Sequence, residues 1–328
     1  MSRSPTFLFL ALLVGYSAAV KSETINLQTT FTQVALDSQP EENTQVDQPA
    51  QETSKAESLH EGFSQGIQAT ADRIDRFFGD ERTDDEAAYT RLRLSVTTSF
   101  RETQSPTTNF HLHGKVVLPR ISRRIQLIIS GDDEERDSYA DGDESGSVAS
   151  RYLIKQTDKS RINFDAGFRG GINSPRFFTK LEYRYQREIA PWLSRLNPKL
   201  LWDTDDGLQA TILFDLERKL SESTYFRSRT VPGWYENTDG YRLDQDFVFF
   251  IRLSNHEYLA FDWLNDFVTK PESQLEISRL RVRYRRPIWQ DKLFFEISTG
   301  MRFEEKFDYE SEAEGYIKLE MPFEAGKN

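Results

Sequence analysis

Arg279, Arg281, Arg283 and Arg285 stand at alternate positions, with Leu280, Val282 and Tyr284 between them. On an extended strand this spacing puts all four guanidinium groups on one face, about 7 Å apart, and the apolar residues on the other. A ladder of this kind attracts anions. Arg91, Arg93, Arg124, Arg151, Arg161, Arg169, Arg184, Arg227 and Arg302 are expected on the same side of their own segments. So are the acids Asp165, Glu182, Asp215, Glu217, Asp244, Asp246, Glu296 and Glu320. Charge this dense needs water or opposite charge around it, because an isolated ion in a dry interior is costly. Two arrangements meet that need: a water-filled lumen whose arginines select anions, or a salt-bridged lumen that is rigid and admits little.

Other constellations are weaker. His111 and His113 share a strand face opposite Phe110 and Leu112, but metal binding needs further ligands that the spacing does not supply. The acidic run Asp132-Asp133-Glu134-Glu135, with Asp137, Asp141, Asp143 and Glu144, departs from a calcium loop, because Tyr139 and Val148 fill ligand positions. It reads as a solvated loop. For hydrolysis the best set is Ser254, His256 and Asp262, at a tight turn. Ser-x-His across a turn is common by chance, so no catalytic residue, metal or cofactor is assigned.

The elements that carry these residues alternate strictly. Leu92, Leu94, Val96, Thr98 and Phe100 interleave with Arg91, Arg93, Ser95, Thr97 and Ser99, and Ile162 to Phe168 interleave with Arg161 to Arg169. Comparable segments fall at 89–101, 109–118, 122–130, 148–156, 160–169, 176–186, 198–204, 207–218, 222–230, 240–252, 256–266, 273–286, 291–303 and 314–323. That makes about fourteen strands, bounded by twelve and sixteen because Ile189 to Trp202 is ambiguous. Short connections (Pro119-Arg120-Ile121, Thr157-Asp158-Lys159, Pro287-Ile288-Trp289-Gln290) alternate with long ones at 131–147, 231–239 and 304–313, the meander of a membrane barrel. Tyr89, Phe100, Phe177, Tyr185, Trp202, Tyr241, Trp263 and Trp289 near segment ends suit the two bilayer interfaces better than a soluble sandwich. Leu275 and Ile277 share the arginines' parity, which predicts either a bulge near Ser278 or a loop above the membrane.

Composition agrees. The chain has 328 residues, with 42 Lys and Arg against 53 Asp and Glu, and a net charge of −11. That balance gives no support to nucleic-acid binding. An aromatic content of 13% argues against global disorder, and the absence of cysteine excludes disulfides, thiol chemistry and a cysteine lipid anchor.

At the N-terminus Arg3, the apolar run Phe7 to Gly15 and the small residues Ser17-Ala18-Ala19 read as a signal peptide over 1–19. Residues 20–56 are polar and read as a disordered tether. Over 57–80, Leu59, Phe63, Ile67, Thr70 or Ala71, Ile74, Phe77 and Phe78 recur at helical spacing, and Gly79 marks a stop. This amphipathic helix needs a surface for its apolar face: the rim, a periplasmic partner, or the lumen as a plug. The barrel domain is expected over 86–324.

From Tyr89 to Phe323 the chain resembles a porin-like Gram-negative outer-membrane β-barrel protein, and its last strand (Ile317, Leu319, Met321 and Phe323) resembles the assembly signal of that class. The class ends on the aromatic residue, whereas Glu324-Ala325-Gly326-Lys327-Asn328 follows here. Asp75 to Arg82 is similar to a segment found in a group of proteobacterial proteins and implies no activity. The expectation is an all-β, antiparallel transmembrane barrel in the outer membrane, conducting small hydrophilic or anionic solutes through an Arg-lined lumen. The alternatives are a closed barrel acting through a partner in envelope biogenesis or polymer export, and, as a minor one, an outer-membrane hydrolase. Expected partners are outer-membrane lipids and lipopolysaccharide, the assembly machinery, and a periplasmic protein at the helix.

Overall fold

The structure, a computed structural model, describes residues 70–78 (apart from 72 and 76), 90–117, 124–130, 146–170, 175–289 and 292–325. The expected signal peptide, the tether, the helix residues Leu59, Phe63 and Ile67, and the acidic loop from Asp132 to Glu144 lie outside the described residues.

Among the described residues the chain forms fourteen strands. The first seven are β1 (Thr90–Arg101), β2 (Gln104–Val117), β3 (Ile125–Ser130), β4 (Ser147–Gln156), β5 (Ser160–Arg169), β6 (Arg176–Ile189) and β7 (Trp192–Asp203). The second seven are β8 (Gly207–Lys219), β9 (Thr224–Tyr235), β10 (Tyr241–Ser254), β11 (Glu257–Val268), β12 (Gln274–Trp289), β13 (Leu293–Glu304) and β14 (Ser311–Ala325). Each pairs antiparallel with its neighbours in sequence, and β14 pairs with β1 from Thr90↔Ala325 to Arg101↔Glu314, closing the barrel. Closure gives every strand a neighbour on both sides, as a sheet in lipid requires.

The fourteen sequence segments match the strands one for one, but several run longer than the alternation suggests. β7 starts at Trp192, not 198. Its pairing to β6 steps from Lys199↔Glu182 to Leu196↔Tyr185, skipping Pro198, which has no N–H to give the ladder. That gap is why Ile189 to Trp202 reads ambiguously. β9 extends to Tyr235 and β12 to Trp289, so 231–239 is not a long loop and Pro287 to Trp289 is not a turn. Both extensions are held by neighbours, Trp234 opposite Tyr241 and Trp289 opposite Leu293.

Both barrel termini lie at one end, where the turns are short: 157–159, 190–191, 220–223 and 255–256. The other end carries 131–146 and the connections after β5, β9, β11 and β13, though 102–103 and 204–206 there are short too. Apolar side chains face outward, Phe110, Trp263, Leu280 and Met301 being 74%, 49%, 49% and 46% exposed. At the loop end Phe168, Phe177 and Trp202 form a belt of adjacent rings on β5, β6 and β7, with centroids 5.8 and 6.4 Å apart. Tyr185, opposite Ser160 and one residue from the inward Arg184, lies on the outer face at the turn end of β6.

Two local features adjust the wall. A bulge at Glu276 takes the register from Asp266↔Ile277 to Phe267↔Leu275. Ile277 therefore points inward with the arginines and is buried, while Leu275, opposite Phe267, joins the outer face. The bulge exists but sits beyond Ile277, so neither sequence alternative describes that residue. The outer surface of β9–β12 also carries a polar network. Thr230 donates to Gln245 at 2.7 Å, Asn265 to the Gln245 carbonyl at 3.3 Å, Ser278 to Asn265 at 2.8 Å, and the Trp263 indole to Ser278 at 3.2 Å. Self-satisfaction of this kind is how amides and hydroxyls are tolerated on a lipid-facing wall.

Candidate functional site

The interior is an ion-pair lattice built by strand register. Asp262 on β11 sits opposite Arg281 on β12 and accepts from Arg281 at 2.8 Å and from Arg283 at 2.6 and 3.0 Å. Arg279 donates to Asp266 at 3.3 Å. Arg285, fully buried, donates to Glu296 at 3.1 Å and Glu320 at 2.5 Å. Arg93 on β1 reaches the same Glu320 at 3.3 Å, so one chain of charges crosses β12, β13, β14 and β1 over the closing seam. Arg91 faces Glu324 at 3.4 Å.

The remaining predicted lumen residues also point inward. Arg161 donates to Asn163 at 2.9 Å, and Arg169 pairs with Asp203 and, at 2.6 Å, with Asp206. Asp165 accepts from Arg151 at 2.7 Å and pairs with Lys180 at 3.1 Å. Asp215 accepts from Arg229 at 2.6 Å, and Glu217 from Arg195 at 2.7 Å, Arg227 at 2.8 Å and the Tyr225 hydroxyl at 2.5 Å. Arg124 is the exception: it is exposed at the start of β3, beyond the pairing that would hold it inside.

These side chains enclose a cavity of about 970 Å³. It runs from Thr157, Asp158 and Lys159 at the turn end to Arg101, Tyr235 and Glu314 at the loop end. Among its described lining residues, sixteen Lys and Arg face nine Asp and Glu. The lining thus carries more bases than acids in a chain whose total is −11, while further inward acids such as Asp165, Glu217, Glu296 and Glu320 stand behind it.

The helix at 70–78 lies inside the barrel. Ala71 and Ile74 are buried in one apolar cluster with Leu193, Tyr225, Val248, Phe250, Tyr258 and Ala260. Phe77 packs on Tyr258 and Phe294, with centroids 4.3 and 5.7 Å away, and Phe78 packs on Phe250 at 5.0 Å. Two rungs of the ladder hold the same rings: Arg283 lies 4.9 Å from the Phe78 centroid and Arg285 5.8 Å from that of Phe77. Asp75 accepts a bond from Arg227 and lies 3.7 Å from Arg195.

So Arg283 and Arg285 grip the helix, and Arg279 and Arg281 line the cavity. The sequence reading missed Asp75, Arg195 and Arg229. Asp75 carries a findable signal, since a carboxylate beside the apolar stripe Ala71, Ile74 and Phe78 would need a cation on whatever surface receives that stripe. His111 and His113 line the cavity. Among the described residues no three His, Asp or Glu side chains converge as metal ligands. His256 is exposed at a two-residue turn, whereas Asp262 lies six residues further along β11, roughly 20 Å away. Ser254, His256 and Asp262 therefore do not come together as a triad.

No protein-family model matches the chain, and no curated protein matches it. Solved structures with a similar chain path include the KdgM porin in complex with disordered oligogalacturonate (6% identical, TM-score 0.37, 70% of this chain and 99% of that one). A loop L8 deletion mutant of OmpT, an outer membrane protein of Vibrio cholerae, is 8% identical at TM-score 0.43, over 71% and 98% of the two chains. A bacterial polysaccharide outer membrane secretin is 10% identical at TM-score 0.45, over 73% and 99%. These likenesses are distant, and the strand number, lumen and helix position stand on this chain's own geometry. That geometry defines a membrane-spanning β-barrel of the outer-membrane type: closed, antiparallel, apolar outside and ionic within.

Proposed function

We propose that the protein is an outer-membrane channel for small hydrophilic, preferentially anionic, solutes. The observation that carries this reading is the cavity reaching from turn end to loop end with more bases than acids among its described lining residues. Most wall arginines are tied to acids, so the field acts through the excess of bases and not through any single free guanidinium. Water focused between low-dielectric walls concentrates anions in such a field. Outer-membrane lipids and lipopolysaccharide, and the assembly machinery, are its proposed surroundings.

The test is ion selectivity in planar bilayers. Arg281→Glu changes the local charge by two units at a residue that lines the cavity. It is expected to lower the anion-to-cation permeability ratio roughly two- to fourfold at low salt. A folded protein that conducts at no voltage, with or without the helix, overturns the channel.

One observation favours a second reading. The helix tip is packed into the lumen, so a closed barrel that releases its helix to a periplasmic partner has the required element in place. Loss of a co-purifying protein on removal of the helix, with conductance unchanged, would select it.

A further inference from the structure

Asp75 is a carboxylate on a separate element, set against two arginines that belong to the wall. Around it Arg195, Arg227 and Arg229 face Glu217, Asp215 and Asp75, three cations to three anions. Glu217 is fixed in β8 and accepts from both Arg195 and Arg227, while the Tyr225 hydroxyl holds it in place at 2.5 Å. Asp215 is engaged by Arg229. Asp75 alone of the three acids can leave, because it rides on the helix.

Its departure strips one negative charge from a site where Arg195 and Arg227 are both more than nine-tenths buried. Glu217 then answers both arginines, and the cluster of three cations is short of one negative charge, which an anion entering the lumen can supply. We propose that Arg195 and Arg227 form a carboxylate-binding site in the lumen, occupied in this state by Asp75, and that a solute carboxylate releases the helix by taking its place. The inference rests on the anion-channel reading and adds the ligand chemistry and the coupling. The apolar grip on Ala71, Ile74, Phe77 and Phe78 opposes release, so the solute shifts a two-state balance only by its preference for the vacated site.

The chain has no cysteine, so Ala71→Cys introduces a single thiol at a position that is 0% exposed with the helix docked. Its rate of labelling by a small neutral maleimide, on full-length protein in liposomes, reads helix release. Citrate is expected to raise the rate in a concentration-dependent way, and glycerol to leave it alone. Asp75→Asn is expected to raise the citrate-free rate about tenfold or more, from loss of charge-assisted bonds. In that background citrate adds little, because the competition has been removed.

Equal acceleration by citrate with and without Asp75, or none in either, overturns the proposal. The same measurement at Ile74→Cys decides the matter if the first variant does not fold. Conductance without citrate-dependent labelling would keep the channel and remove the coupled site. Citrate-dependent labelling without conductance would do the reverse.

Discussion

Glu320 shows what individual side chains contribute to this wall. It is 2% exposed and lies between Arg285 at 2.5 Å and Arg93 at 3.3 Å, so one carboxylate answers cations from β12 and β1. Glu320→Gln keeps the shape and removes the charge. It is expected to cost about 3 kcal/mol, because a buried cation left underpaired is worse than no pair at all. Urea unfolding of the reconstituted barrel followed by tryptophan fluorescence measures it, and an unchanged midpoint would mean that water already solvates the site. Parity identified Glu320 and Arg285 as facing inward; their pairing depends on β13 and β14 bringing residues 35 positions apart together.

Among the elements, β12 and β13 are held close together at Gly300. A Cβ there would lie 2.3 Å from the Leu280 carbonyl oxygen and 2.6 Å from the Arg281 Cβ, contacts that no side-chain rotation relieves. Gly300→Val is therefore expected to destabilise the barrel by about 3 kcal/mol or more, seen as loss of the fast-migrating folded band on unheated gels. At Gly114, φ is +147° and a Cβ would fall 2.1 Å from the Arg91 carbonyl oxygen, the same constraint at the β1–β2 pair. The bulge at Glu276 belongs to this level too. Alternation told that the parity of Leu275 and Ile277 was anomalous, and the register with β11 settled which of the two turns outward.

For the whole molecule the helix and the cavity share one lumen. The helix is seated against β7–β11 and the rings of β13, while the cavity also runs past β1–β6. An α-helix with side chains is ~10–12 Å across, so removing it vacates a large part of the cross-section. Deleting residues 57–85 is expected to raise single-channel conductance about twofold or more; no rise would mean that the cavity beside the helix already sets the resistance.

Strand number, inward and outward faces, and the sign of the ladder could be read along the chain, because a strand exposes its two faces with period two and lipid enforces that period at every position. Arg279 to Arg285 and Leu92 to Phe100 carry it without help from distant residues. Which acid answers which arginine and where Ile277 points came from the register of paired strands, and that Asp75, Phe77 and Phe78 settle among Arg227, Arg283 and Arg285 came from closure. Those contacts join residues from opposite parts of the sequence. Their distances are set by the register and diameter of the closed cylinder, which no local pattern encodes.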